Sequence, residues 1–173
     1  KASEIYVRDK NSSDFLNNFW INSVIIKDVV FFDWLNSNWK KNLKVVLVND
    51  FSLKDIQNLD FKQNKVGIAF RKWYIKKEII KEIIDFILKS WWEIILLPHS
   101  FHKIDEFAND YKFLKEFAWD KVSITKNMWE TYQVYKSKKI DICLSMRLHS
   151  IILSQVYDID YIKIIYVKKV KEV

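Results

Sequence analysis

The chain has 173 residues, half of them hydrophobic and 29% charged, with a formal net charge of +7. That mixture is globular rather than disordered, and no run approaches the roughly 18 apolar residues of a membrane span. A single cysteine, Cys143 in the apolar run Ile142-Cys143-Leu144, excludes an internal disulfide framework and a cysteine-cluster zinc site and reads as a buried, inert thiol.

Glu4 to Val7 predicts a short strand, and Asn11-Ser12-Ser13-Asp14 offers N-cap side chains for a helix reaching Phe19. Ser23 to Ile26 is a second strand, and Asp28 to Lys41 is irregular. Leu43 to Val48, apolar and β-branched, is a third strand, followed by a short helix from Ser52 to Leu59. Beyond a polar connection, strands and helices alternate. Lys65 to Phe70 is a strand, and Ile75 to Lys89 carries apolar residues at helical spacing with lysines and glutamates opposite. Strands then fall at Glu93 to Leu97, Lys121 to Ile124, Ile140 to Leu144 and Tyr161 to Tyr166. Helices fall between them at Ile104 to Phe117, Asn127 to Ser137 and Leu148 to Tyr157, and a last one starts at Lys168. Strands apolar throughout, separated by amphipathic helices, predict an α/β fold with a doubly wound parallel sheet. The expected division is 1–60 as the end of an N-terminal domain and hinge, and 61–173 as a Rossmann-like C-terminal domain. The start on Lys1 and the charged end read as a piece of a longer protein.

The composition holds one glycine, Gly67, and eight tryptophans. Ordinary usage predicts about twelve glycines. Trp20, Trp91, Trp92 and Trp119 each follow a helical stretch, where helices commonly end on a glycine in the left-handed conformation. A gene that reads UGA as glycine, translated with UGA as tryptophan, gives this pattern. The expectation is that several tryptophans stand for glycine; the alternative is a chain genuinely rich in tryptophan. No stacking platform for sugars or bases is assigned to them.

In doubly wound folds ligands bind beyond the carboxyl ends of the strands, and these ends are polar. They carry Arg71, then Pro98-His99-Ser100, then Ser145-Met146-Arg147-Leu148-His149-Ser150, then Lys168-Lys169. At Ser145 to Ser150 a strand turns into a helix, so backbone N–H groups and the helix dipole favour an anion there. Arg147 adds a bidentate donor for phosphate or carboxylate, and His149 a proton carrier near neutral pH. On pattern alone both residues serve equally as caps or core hydrogen-bond partners. His102 reads as a solvated loop residue. Asp105, Glu106 and Asp110 read as one charged helix face. There is no Walker loop, no GxGxxG, no nucleophile elbow and no histidine pair at zinc spacing. The net charge favours anionic partners, although the lysines are spread along the chain.

The segment from Asp141 to Leu153, centred on Arg147-Leu148-His149, resembles the R-L-H segment of polysaccharide pyruvyl transferases. Val66 to Trp73 resembles the family strand that ends in a substrate-binding arginine, and Glu93 to Ser100 its strand ending in a proline loop. Ile165 to Val170 resembles its S-Y-x-x-K-V segment, Val7 to Ser12 its R-D-x-x-S turn, and Lys27 to Phe31 its D-P-A-F segment. Asp158, Asp160, Lys163 and Ile165 depart from the family, which has glycine, proline, glycine and serine there.

The resemblance implies the Rossmann-like half of a glycosyltransferase-B-type enzyme, preceded by part of an N-terminal domain. It implies transfer of a pyruvyl group from phosphoenolpyruvate to a sugar as a ketal, with no metal and no further cofactor. Arg71 and Arg147 would hold the donor, with Ser145 and Leu148 at the helix start. His149 would act as general acid or phosphate ligand, Lys169 would offset the leaving phosphate, and His99 would face the acceptor. The implied partners are phosphoenolpyruvate and a glycan or lipid-linked sugar, not nucleic acid, in the cytoplasm or at the inner membrane face. The rival expectations are a related transferase using a nucleotide sugar, and a non-catalytic anion-binding module.

Overall fold

The computed structural model describes residues 5–7, 10–25, 44–47, 49–57, 65–72, 74–90, 92–102, 104 and 109–166. The expected irregular stretch over 28–41 and the helix from 168 lie outside them. Two compact units are present, residues 1–38 and 39–173. In the first, strand β1 (Tyr6–Val7) pairs in parallel with β2 (Val24–Ile25), and helix α1 (Lys10–Asn17) joins them. The Ser23 hydroxyl donates to the Ser13 hydroxyl at 2.9 Å.

The second unit is built on six strands: β3 (Lys44–Leu47), β4 (Lys65–Ala69), β5 (Glu93–Leu96), β6 (Val122–Ile124), β7 (Ile142–Ser145) and β8 (Asp160–Ile165). Their spatial order is β3-β8-β7-β4-β5-β6, and every pairing is parallel. Starting at β4 the chain steps outward through β5 to β6, returns past its starting point to β7, and steps the other way to β8. This is the doubly wound order, with β3, an earlier strand, in the sixth place. The direction of winding reverses between β4 and β7. There Ala69 lies opposite Ser145, and the Met146 N–H donates to the Ala69 carbonyl at 3.1 Å.

Among the described residues five helices connect the strands: α2 (Lys54–Gln57), α3 (Lys77–Lys89), α4 (Asp110–Lys115), α5 (Met128–Lys136) and α6 (Leu148–Val156). Helix α3 forms because Ile80, Ile83, Ile84 and Ile87 fall on one face, and all four are fully buried. Each buried isoleucine contributes about 1.5–3 kcal/mol relative to an exposed one. Alternate strand residues serve opposite faces. Val66, Ile68, Ile94, Leu96, Ile142 and Leu144 pack in one cluster with the α3 isoleucines and with Phe113 and Leu114 of α4. Cys143 and Ser145 instead meet Ser150 of α6, and Cys143 also meets Tyr135 of α5. Helix α4 starts at Asp110, six residues later than the periodicity from Ile104 predicts; of the intervening segment, 105–108 are outside the described residues. The Asn109 side chain caps it, accepting from the Lys112 N–H at 2.9 Å.

Gly67 sits where strands β4 and β7 leave no room. A Cβ there would lie 2.6 Å from Ile140 Cδ1 and 2.7 Å from Leu97 Cδ1. Both are ends of flexible side chains, so they can turn aside at moderate cost.

Three helices close with the same hydrogen-bond pattern. After α1, Trp20 N–H donates to Asn17 O and Ile21 N–H to Leu16 O. After α5, Lys138 and Lys139 donate to Tyr135 and Val134, and after α6, Asp158 and Ile159 donate to Gln155 and Ser154. This is the Schellman ending, whose C′ residue is left-handed. Accordingly Trp20, Lys138 and Asp158 have φ of 61°, 48° and 55°. The glycine-to-aspartate departure at 158 therefore keeps a glycine-type backbone, which aspartate tolerates better than most residues. Trp20 is 96% exposed, so its ring offsets none of the strain. The other tryptophans differ. Trp91 is outside the described residues, Trp92 packs against the core, and Trp119 bridges Val122 without a positive φ.

Two outcomes are expected. Trp20→Gly raises stability by about 1 kcal/mol in chemical denaturation, and mass spectrometry of the protein from its native source finds glycine at 20. Finding tryptophan there removes the recoding argument at that position. Gly67→Ala lowers stability by about 1–3 kcal/mol through overpacking.

Candidate anion site

Arg71 lies two residues beyond Ala69 and Arg147 two beyond Ser145, so the facing ends of β4 and β7 bring the two arginines to one edge of the sheet. Arg71 Nη1 donates to the Tyr166 hydroxyl at 3.3 Å. Its guanidinium lies 5.8 Å from the Tyr74 ring centre and 5.9 Å from that of Tyr166. The two rings pack against each other at 4.1 Å. The Tyr166 hydrogen bond, outweighing partial burial, holds the guanidinium above its already high range. Tyr166 follows β8, two strands from β4, so the arginine reaches across the end of β7.

Arg147 Nε lies 3.0 Å from Asp110 Oδ2. The arginine side chain is 17% exposed and the aspartate 1%. The same Oδ2 accepts the His99 N–H at 3.3 Å. Burial raises the Asp110 carboxyl to about 6, while Arg147, the His99 N–H and Arg71 each pull it down. Asp110 is thus within electrostatic reach of both arginines. This corrects the expectation of a charged, solvated helix face: Asp110 is buried at the site, and Asp105 and Glu106 are outside the described residues.

His99 is 8% exposed, and its Nε2 lies 3.1 Å from the Tyr135 hydroxyl. Its Nδ1 has no hydrogen-bond partner among the described residues. Burial first, and then the charges of Arg147 and His149, together lower the imidazole to about 3. The Tyr135 hydroxyl continues to Ser150 Oγ at 2.8 Å, and Ser150 Oγ to Ser145 Oγ at 2.8 Å. One polar chain therefore ties the β5 end, α5, α6 and the β7 end together behind the arginines. Burial also raises the Tyr135 hydroxyl and the Cys143 thiol above their usual ranges, which keeps both protonated.

Helix α6 starts at Leu148 with no side-chain cap from Arg147. Its first turn directs backbone N–H groups to the same edge. His149, in that turn, is half-buried and close enough for its charge to act on His99. Arg71, Arg147, His149, His99 and the α6 start thus converge. Ser145 is fully buried with its hydroxyl bonded inward, and Leu148 is half-buried. His102 is exposed, and Lys169 lies outside the described residues. Lys163, at a family glycine position, is buried in β8, which lowers its ammonium.

Sequence reading missed Asp110, Tyr135 and Tyr166. Two left a signal: Tyr166 is the tyrosine of the segment that resembles S-Y-x-x-K-V, and the asparagine directly before Asp110 is an N-cap, which puts that acid at the same sheet edge as the preceding loop. Two guanidinium groups and a helix start suit a ligand with two anionic groups, with an imidazole at hand for a proton. No group of three or more His, Cys, Asp or Glu that would hold a metal occurs among the described residues. Nor does a helix long and apolar enough to cross a membrane. A cavity of about 510 Å³ opens at the starts of β5 and β6, lined by Trp92, Glu93, Asp120 and Lys121 among others, at the opposite end of the strands from the arginines.

The sign of the His99 effect is definite. Its folded pKa lies near 3 against 6.5 unfolded, so stability is full above 6.5 and falls as pH drops toward 3. NMR of the folded chain is expected to show His99 ring signals that do not titrate between about pH 5 and 8.

The family model for polysaccharide pyruvyl transferase matches residues 1–159. No curated protein and no solved structure matches the chain. The chain belongs to the polysaccharide pyruvyl transferase family.

Proposed function

We propose that this family member transfers the pyruvyl unit of phosphoenolpyruvate to a sugar as a cyclic ketal, releasing phosphate. The observation that carries the reading is the convergence of Arg71 and Arg147 at the facing ends of β4 and β7, with Asp110 in reach of both. Phosphoenolpyruvate presents a phosphate and a carboxylate on the same carbon, so it suits two cationic groups side by side. A nucleotide sugar presents two linked phosphates instead, and the released product, phosphate or nucleotide, distinguishes the two donors.

In this scheme Arg71 and Arg147 hold the two anionic groups, and the start of α6 adds its dipole. His149 delivers a proton to the methylene carbon, which becomes the methyl group. One sugar hydroxyl adds to the former enol carbon and gives up its proton to a base. A second hydroxyl of the same sugar displaces phosphate from that carbon and closes the ketal, and its proton leaves with the phosphate. Lys169 adds positive charge as the phosphate departs. Ser145 and His99, expected to touch donor and acceptor, are buried and here act from the interior, by fixing Ser150 and the β5 loop, while Leu148 stays at the helix start beside the donor. The domain acts as the donor-binding half of a glycosyltransferase-B-type enzyme, on a glycan or lipid-linked acceptor, in the cytoplasm or at the inner membrane face.

In the complete enzyme, His149→Ala is expected to lower turnover by about 10²–10⁴-fold, the usual contribution of a positioned acid. Near-normal turnover removes His149 from the chemistry. Arg71→Ala is expected to raise KM for phosphoenolpyruvate, and an unchanged KM removes it from donor contact. Phosphate release with phosphoenolpyruvate and none with nucleotide sugars supports the donor assignment; the reverse overturns it.

A further inference from the structure

We propose that Asp110 is the positioning residue for Arg147: its buried carboxylate holds the guanidinium through Nε and leaves the terminal amino groups for a phosphate- or carboxylate-bearing ligand. The proposal rests on the anion-binding reading of this edge and names the residue that gives the arginine its working orientation.

The geometry is one-sided. Asp110 Oδ2 meets Arg147 at Nε, 3.0 Å away, and no other hydrogen-bond or ion-pair partner of the Arg147 side chain occurs among the described residues. The remaining donors of the planar fork have no partner among the described residues, and the ion pair at Nε restrains where the guanidinium sits. The carboxylate is itself immobilised. Its Oδ2 accepts the His99 N–H at 3.3 Å. Its backbone opens α4, where Asn109 Oδ1 accepts the Lys112 N–H at 2.9 Å and Asn109 Nδ2 donates to the His102 carbonyl at 2.6 Å. The Tyr111 N–H donates to the Ser100 carbonyl at 3.3 Å. The loop after β5, the start of α4 and the turn after β7 therefore meet at one carboxylate.

Charge and geometry predict opposite signs here. By charge alone a carboxylate repels an arriving anion, so removing it tightens binding. If its role is to orient Arg147, removing it weakens binding despite the lost repulsion. The effect must also vanish when Arg147 is absent, because a positioning residue acts only through its partner.

The test is a double-mutant cycle on this chain, with phosphoenolpyruvate and inorganic phosphate as separate probes in titration calorimetry. Asp110→Ala is expected to weaken binding roughly ten- to hundredfold, the scale of a hydrogen bond to a charged group. Asp110→Asn, which keeps an acceptor, is expected to fall between wild type and Asp110→Ala. In the Arg147→Ala background either change is expected to leave affinity unchanged or slightly tighter. Unchanged or tighter binding of Asp110→Ala in the chain that keeps Arg147 overturns the proposal, as does an equal loss with and without Arg147. If Asp110→Ala does not fold, judged by circular dichroism, Asp110→Asn carries the same signs. A wild-type chain that binds inorganic phosphate but not phosphoenolpyruvate overturns the donor assignment alone, and the cycle is then read with phosphate. Binding of neither anion overturns both.

Discussion

Strands β4 and β7 lie side by side although the Lys65 N–H donates to the Asp141 carboxylate across 76 positions of sequence, at 3.0 Å. The chain leaves these two strands in opposite directions, because α3 leads from β4 to β5 and α6 from β7 to β8. No connection needs to cover the gap between their carboxyl ends, which is why ligands of doubly wound sheets settle at such a reversal. The two arginines enter this gap at equal distance beyond a matched pair, Ala69 and Ser145. A one-residue slip of β7 against β4 would reverse every side chain of β7. Ser145 would then leave its Ser150 contact, and the turn that carries Arg147 and His149 would shift with it. The single glycine lies within this pairing, where Ile140 and Leu97 would have to turn aside for a larger residue.

Placing a carboxylate in the same gap is costly. An acid 1% exposed loses its hydration, and without partners would stay protonated. Arg147 and the His99 N–H offset part of that cost. A buried pair of this kind adds little net stability, because desolvation cancels much of the attraction. Its consequence is geometric: an arginine held in a buried ion pair has fewer positions open to it than a free one. The neutral chain behind it, from His99 through Tyr135 and Ser150 to Ser145, adds rigidity without adding charge. Burial keeps each of its titratable members uncharged, so the positive field at the edge comes from the arginines and the helix start.

Helix endings tell a separate story about composition. The Schellman ending requires a left-handed residue whatever the side chain. With one glycine in the whole chain, other residues must take that conformation, and Trp20, Lys138 and Asp158 do so. Aspartate is suited to it, and lysine and tryptophan are not. At Trp20 the misfit between residue and backbone is largest, since the exposed ring returns no packing energy.

By itself the sequence determined the α/β class, the parallel character of the sheet and the position of each of its strands to within about two residues. Continuous apolar strands and the isoleucine stripe of α3 are local patterns, set by periods of 2 and 3.6 that need no tertiary information. It also marked Arg71, Arg147 and His149, because each follows a strand end. Only the tertiary structure decided which strand ends are neighbours, and so that residues 71 and 147 follow paired positions at one edge. It alone revealed the buried role of Asp110, since an acid among lysines on a short helix looks the same in sequence whether it faces water or an arginine. Tyr135 was hidden for the same reason, and Tyr166 was marked only by the resemblance of its segment, not by its contact. Their hydroxyls find partners 15 and 95 positions away, and such contacts are fixed by strand order and packing, which no local pattern encodes.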